Sequence, residues 1–143
     1  MKYSLASGPV IIENNKILLV RHGNTEKERS YWKFPGGKVK PEEITDDTDT
    51  LESVCKREAR EELGLEIEIL MPVKPLLIAH PYKPDEAVVL IHFLARKLNT
   101  EIPSREIEEC RWFDINKLPE SCSPNIKPVI KDYLRIKQQK VAD

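Results

Sequence analysis

Residues 50–65, TLESVCKREAREELGL, read as a helix whose apolar face changes chemistry halfway along. The pattern predicts a helix over Thr50–Leu63, with Asp49 as its cap, Glu52 completing a capping box and Gly64 as the stop. At 100° per residue, Leu51, Val54 and Cys55 share one side. The same side then runs into Glu58 and Glu62, with Glu61 one step around. Spacings of i, i+3 and i+4 bring the three carboxylates together. Three effects oppose this. Like charges repel at that spacing, core-facing carboxylates are costly to desolvate, and the helix dipole disfavours anions near the C-terminus. A divalent cation reverses all three. An all-oxygen donor set selects a hard cation, so Mg²⁺ or Mn²⁺ fits and zinc does not. The alternative is a solvated helix on which Arg57 and Glu61 form surface pairs.

The remaining pattern is mixed. Two short apolar runs, residues 10–12 and 17–20, flank Asn14-Asn15, whose tolerance of positive φ predicts a β-hairpin. Residues 22–30 read as a polar loop, and 31–34 as a short strand broken by Pro35-Gly36-Gly37. Residues 38–49 read as an acidic loop. Strands are expected at 67–70, 73–79, 87–97 and 110–113. A C-terminal helix is expected at about 124–139, with Ile126, Val129, Ile130, Tyr133 and Leu134 as its apolar stripe and a frayed basic tail. Strands alternating with two helices imply an α/β or α+β sandwich.

Composition excludes several classes. The 143 residues fit one domain, 1–143. The 23 basic and 24 acidic residues leave a formal charge of -1, so no global field draws nucleic acid or anionic lipid. The longest uncharged apolar run, residues 87–95, is far short of the roughly 20 residues of a membrane span. Three cysteines without CxxC spacing, Cys55, Cys110 and Cys122, suit neither a disulfide framework nor a zinc site. They read as thiols in a reducing compartment, and with no address segment the expectation is a cytoplasmic protein.

The chain resembles the Nudix hydrolases. Their signature is G-x5-E-x7-R-E-U-x-E-E-x-G-U, where U is a bulky aliphatic residue. Gly37 and Glu43 stand at the forward spacing, and Arg57-Glu58-Ala59-Arg60-Glu61-Glu62-Leu63-Gly64-Leu65 supplies the second half, so the box covers residues 37–65. The approach Trp32-Lys33-Phe34-Pro35-Gly36-Gly37 is also similar to the family's. One departure stands out. Thirteen residues separate Glu43 from Arg57 where the family has seven, so residues 44–49 are a six-residue insertion, and counting backward reaches Asp49 instead.

The resemblance implies an α/β/α Nudix fold, a mixed sheet between helices. It implies Mg²⁺-dependent hydrolysis (Mn²⁺ as the other fitting cation) of a nucleoside diphosphate linked to another group. Glu58, Glu61 and Glu62, with the Gly37 carbonyl, would be metal ligands, and Arg57 would orient the glutamates. Relatives often carry a further catalytic glutamate outside the box. Glu109 and Glu106, before Cys110-Arg111-Trp112-Phe113, are the leading candidates here, with Glu86 a further one.

Arg21 is a candidate phosphate contact, Trp32, Phe34 and Tyr82 are candidates for stacking on a base, and Asn125 resembles a base-reading asparagine. Two substrate classes stay open. A (d)NTP suits the MutT-like features, while Pro81, 16 residues beyond Leu65, is similar to the ADP-ribose pyrophosphatase pattern. A dinucleoside polyphosphate hydrolase and a non-catalytic nucleotide- or RNA-binding module are the alternatives. The expected partner is a small nucleotide, without membrane or nucleic acid, and the family admits a homodimer.

Overall fold

The computed structural model describes residues 1–22, 31–80 and 82–142. Most of the loop expected at 22–30, and Pro81, lie outside the described residues. The elements run β1 (Lys2–Val10), β2 (Ile12–Glu13), β3 (Lys16–His22), β4 (Gly37–Lys38), α1 (Thr50–Leu63), β5 (Ile67–Pro72), β6 (Leu76–Ala79), β7 (Glu86–Lys97), β8 (Ile107–Asp114) and α2 (Ile126–Ala142).

Two sheets result. One has the order β4-β1-β7-β5, with β6 also paired to β7; the other has the order β2-β3-β8. β1 and β7 are parallel, in register from Lys2↔Glu86 to Val10↔Leu94, and the other pairings are antiparallel, so the larger sheet is mixed.

Burial on both faces explains the continuous apolar runs. Period-two alternation sends Val10, Ile17, Leu19 and Leu94 into one core with Ile126, Val129 and Ile130 of α2. It sends Ile11, Leu18, Val20 and Phe93 into another with Cys55, Ala59 and Leu63 of α1. A helix therefore covers each face, and the architecture is the α/β/α sandwich expected. Among the described residues no helix is long and apolar enough to cross a membrane.

The hairpin forms as expected: Asn14 and Asn15 both have positive φ, 52° and 62°, which matches the twist of the flanking strands. Helix α1 also forms over the expected residues, and Gly64 ends it in the left-handed conformation at φ 59°.

Several expectations need correction. Asp49 makes no side-chain cap bond, so the box with Glu52 does not form. The reciprocal bond occurs at a 3-10 turn, Pro41–Glu43, where the Lys40 amide donates to Glu43 Oε1 at 2.8 Å. Residues 31–34 are not a strand; they make two isolated bridges, Val20↔Lys33 and Trp32↔Cys122. Residues 73–75 precede β6 rather than belonging to it.

On α2 the buried seam passes through Ile136, and Leu134 is 43% exposed. The helix runs through the basic tail to Ala142.

β1 begins eight residues before the apolar run that announced it. Its small residues serve a close crossing: a Cβ on Gly8 would fall 2.0 Å from the Pro35 carbonyl oxygen, and one on Gly36 would fall 2.6 Å from that of Ser7. Gly36, at φ 148°, adopts a conformation that other residues reach only with strain. This crossing carries the chain into β4 directly beneath α1.

Candidate functional site

β4 pairs with β1 through Ser7↔Gly37 and so lays Gly37 against α1. A Cβ at Gly37 would sit 2.6 Å from Glu58 Oε1, so the Gly37 backbone and the Glu58 carboxylate share one small space. Glu58 and Glu62, one turn apart, are each only 7% exposed. Burial raises the pKa of Glu58, against the pull of Arg57. Burial, reinforced by the neighbouring Glu58 charge, pushes Glu62 up to about 8. Lys33 and a backbone hydrogen bond from Gly36 oppose that rise. Glu62 Oε2 is buried with no hydrogen-bond partner. An orphaned carboxylate oxygen beside a second buried carboxylate is an arrangement that a cation stabilises.

Arg57 organises the other side of the site. Its Nε donates to Glu43 Oε2 at 2.7 Å and its Nη2 to Glu43 Oε1 at 2.8 Å, a two-point pair. Its Nη1 donates to Glu58 Oε1 at 2.8 Å and to Glu61 Oε2 at 2.9 Å. The Arg57 pKa is raised, first by Glu43, and that of Glu43 is lowered, first by Arg57. Lys40 Nζ reaches the other oxygen of Glu61 at 3.4 Å.

The insertion is resolved by this geometry. Residues 44–49 form a self-bonded loop: Thr45 and Thr50 share a hydroxyl hydrogen bond, and Thr50 Oγ1 donates to the Asp47 carbonyl. Glu43, not Asp49, is the partner of Arg57. Its forward spacing from Gly37 was the usable signal.

Above these residues lies a cleft of about 480 Å³, lined by Lys40, Arg57, Glu58, Glu61, Glu62, Ser104, Arg105 and Glu106. The Glu106 charge contributes to raising Glu62. Glu109 is held elsewhere, by Arg21 across the β3–β8 pairing and by Arg111 at 2.8 Å. Glu86 is paired with Lys38 at 3.6 Å.

The structure thus brings Gly37, Arg57, Glu58, Glu61, Glu62 and Glu106 together. Lys40, Ser104 and Arg105 join them without any motif to announce them.

The expected substrate contacts are differently placed. Arg21 stacks over Trp32 at 5.7 Å while bonding Glu109. Trp32 is 8% exposed and packs edge-on against Phe113. Phe34 is buried against His92. Tyr82 is exposed and stacks with Tyr31. Asn125 is buried, with Nδ2 3.1 Å from His92 Nε2 and Oδ1 accepting from the Ser123 hydroxyl. His92 Nδ1 lies 3.1 Å from the Gly8 carbonyl oxygen, which can only accept. Nδ1 therefore carries the proton, and Nε2 accepts from Asn125. Burial holds His92 neutral, with its pKa lowered to about 4.

Among the described residues, no three acidic, histidine or cysteine side chains converge into a ready metal cluster, and Arg57 is hydrogen-bonded to both Glu58 and Glu61. The donor chemistry nonetheless fits a hard divalent cation: oxygens only, one buried and orphaned, with close backbone at Gly37.

A family model described as the NUDIX domain matches residues 3–133. An 8-oxo-dGTP diphosphatase of Buchnera aphidicola subsp. Schizaphis graminum (strain Sg) is 39% identical over 118 residues, covering 82% of this chain and 82% of that protein. A second 8-oxo-dGTP diphosphatase, from Proteus vulgaris, is 25% identical over 105 residues, 73% of this chain and 86% of its own. The crystal structure of a MutT NUDIX hydrolase from Burkholderia pseudomallei superposes with a TM-score of 0.76 at 21% identity, covering 92% of this chain and 98% of that one.

Proposed function

The chain belongs to the NUDIX family as a Nudix hydrolase, and on that premise we propose that it hydrolyses 8-oxo-dGTP to the monophosphate and diphosphate. The observation that carries this reading is the buried pair Glu58 and Glu62, Glu58 against Gly37 and Glu62 beside Gly36, with one orphaned oxygen on Glu62. A cation held there fits metal-assisted hydrolysis. The substrate follows the two relatives that carry that activity in their names.

Glu58, Glu61, Glu62 and the Gly37 carbonyl would hold Mg²⁺. When bound, Mg²⁺ supplies neutralisation of the charge on the phosphoryl oxygens. Arg57 holds the Glu58 and Glu61 carboxylates in place, and Glu43 fixes Arg57 from behind. Lys40 and Arg105 line the cleft as cations for the phosphates. Glu106 accepts a proton from the attacking water. The water oxygen bonds to phosphorus, the bond from phosphorus to the bridging oxygen breaks, and diphosphate leaves.

The test is Mg²⁺-dependent turnover across 8-oxo-dGTP, the ordinary (d)NTPs, ADP-ribose and dinucleoside polyphosphates, with Glu62→Gln as control. The expected result is preference for 8-oxo-dGTP, lost by about 10³-fold or more in the folded variant. Preference for ADP-ribose would overturn the substrate. Equal turnover by Glu62→Gln would overturn the site.

A further inference from the structure

Glu106 reaches the cleft on residues 98–106, a segment with neither helix nor strand of its own. Something must fix that segment against α1. The end of a helix offers unpaired carbonyls for the purpose. The Arg60 carbonyl accepts from the Gly64 amide at 3.0 Å, within the helix cap itself. The carbonyls of Glu62 and Leu63 are taken by the segment. Ser104 N–H donates to the Glu62 carbonyl at 2.8 Å, and Ile102 N–H donates to that of Leu63 at 2.7 Å.

Asn99 completes the series from its side chain. Its Nδ2 donates to the Gly64 carbonyl at 2.9 Å, and its Oδ1 accepts from the Glu66 amide at 2.8 Å. One primary amide thus bridges the donor and the acceptor that flank Leu65. Asparagine and glutamine carry a donor and an acceptor side by side on one amide group, and glutamine is one methylene longer. The Glu62 carbonyl that anchors Ser104 belongs to the residue whose carboxylate faces Glu106 across the cleft. Ser104 stands two residues before Glu106, so the chain between them spans at most ~7 Å.

We propose that Asn99 is a positioning residue for the hydrolysis: it clamps the segment carrying Glu106 to the end of α1, and so sets where Glu106 stands relative to Glu62. The inference rests on the reading of Glu106 as proton acceptor. Asn99 touches neither substrate nor cation. It acts through Ser104 and Glu106.

The experiment pairs two readouts on the full chain. Amide exchange without substrate or metal compares wild type with Asn99→Ala; the expected result is at least about tenfold faster exchange at Ile102 and Ser104, with the centre of α1 unchanged. Steady-state turnover of 8-oxo-dGTP compares Asn99→Ala, Glu106→Gln and the double variant. Asn99→Ala should lower kcat about tenfold with KM within about threefold, and should cost nothing further in the Glu106→Gln background. Asn99→Asp keeps the acceptor for Glu66 and loses the donor. It carries the exchange test if the alanine variant does not fold. Unchanged exchange at Ile102 and Ser104 would overturn the clamp, as would losses that multiply in the double variant. A wild type that turns over no nucleotide would defeat the proposed function instead, and exchange would still decide the clamp.

Discussion

Arg57 grips Glu43 side-on through Nε and Nη2, at 2.7 and 2.8 Å, across an insertion that displaces the two residues in sequence but not in space. The inserted residues 44–49 turn back on themselves through Thr45, Asp47 and Thr50, so their length is absorbed outside the ion pair. Closing a loop a few residues longer costs little, because the entropy grows only with the logarithm of length.

Deleting residues 44–49 should therefore leave a folded enzyme, with kcat within about threefold of wild type, since the deletion brings Thr50 up to Glu43 and preserves the pair. Glu43→Gln should do the opposite. It removes a charge-assisted two-point contact and lets Arg57 swing from Glu58 and Glu61, lowering kcat by about 10- to 100-fold. Asp49→Asn should change neither rate nor melting temperature. Loss of activity in Asp49→Asn with none in Glu43→Gln would reverse the assignment.

Gly37→Ala separates stability from activity. The added Cβ meets Glu58 Oε1 at 2.6 Å, the mobile end of a side chain, which can shift aside. The cost to stability should be modest, about 1 kcal/mol. The cost to turnover should be large, about 10²-fold, because Glu58 then stands an ångström or so from its working place. Melting curves beside kcat measure both. A variant melting far below wild type would mean that β4 itself had been displaced.

The two glutamates that sequence spacing leaves equal are separated by their partners. Glu106→Gln should lower kcat about 10²-fold or more. Glu109→Gln should leave kcat near wild type, because its carboxylate is committed to Arg21 and Arg111. The reverse ranking would move the proton acceptor to Glu109.

The helix with its misplaced carboxylates was legible because burial and charge conflict there within fourteen contiguous residues. The Asn14-Asn15 hairpin was legible for a similar local reason. What stayed hidden depends on distant partners. β1 looks unlike a strand because Ser4, Ala6, Ser7 and Gly8 are small and polar or featureless, and at Ser7 and Gly8 the reason is the crossing of Pro35 and Gly36. Trp32, Phe34 and Asn125 looked available for a substrate because sequence cannot show that Phe113, His92 and Ser123 already contact them. Asn99 carries no motif, since its worth lies in two backbone groups some 35 positions away.

Two buried groups should shape the pH dependence of stability without metal, and they act in opposite directions. Glu62 titrates near 8 in the fold against an ordinary 4.5. Its stabilising contribution is full below ~4.5 and is lost as pH rises through ~8, on the order of 5 kcal/mol. His92 titrates near 4 against 6.5, so its contribution is full above ~6.5 and is lost as pH falls through ~4, on the order of 3 kcal/mol. Between ~pH 5 and ~6.5 the two nearly cancel, and wild-type stability should be flat there. Above ~6.5, of these two groups only Glu62 still changes its contribution, and stability should fall toward ~pH 8. The thiols of Cys55 and Cys110, both raised by burial, add their own fall at about 9. Glu62→Gln should abolish that alkaline fall and uncover a decline from ~6.5 to ~5. Millimolar Mg²⁺ should also remove the alkaline fall in wild type, because a bound cation favours the ionised carboxylate and stabilises the state that holds it. Urea unfolding at about pH 5, 6.5 and 8, with and without Mg²⁺, measures each slope. An alkaline fall that persists in Glu62→Gln would place its source in another group.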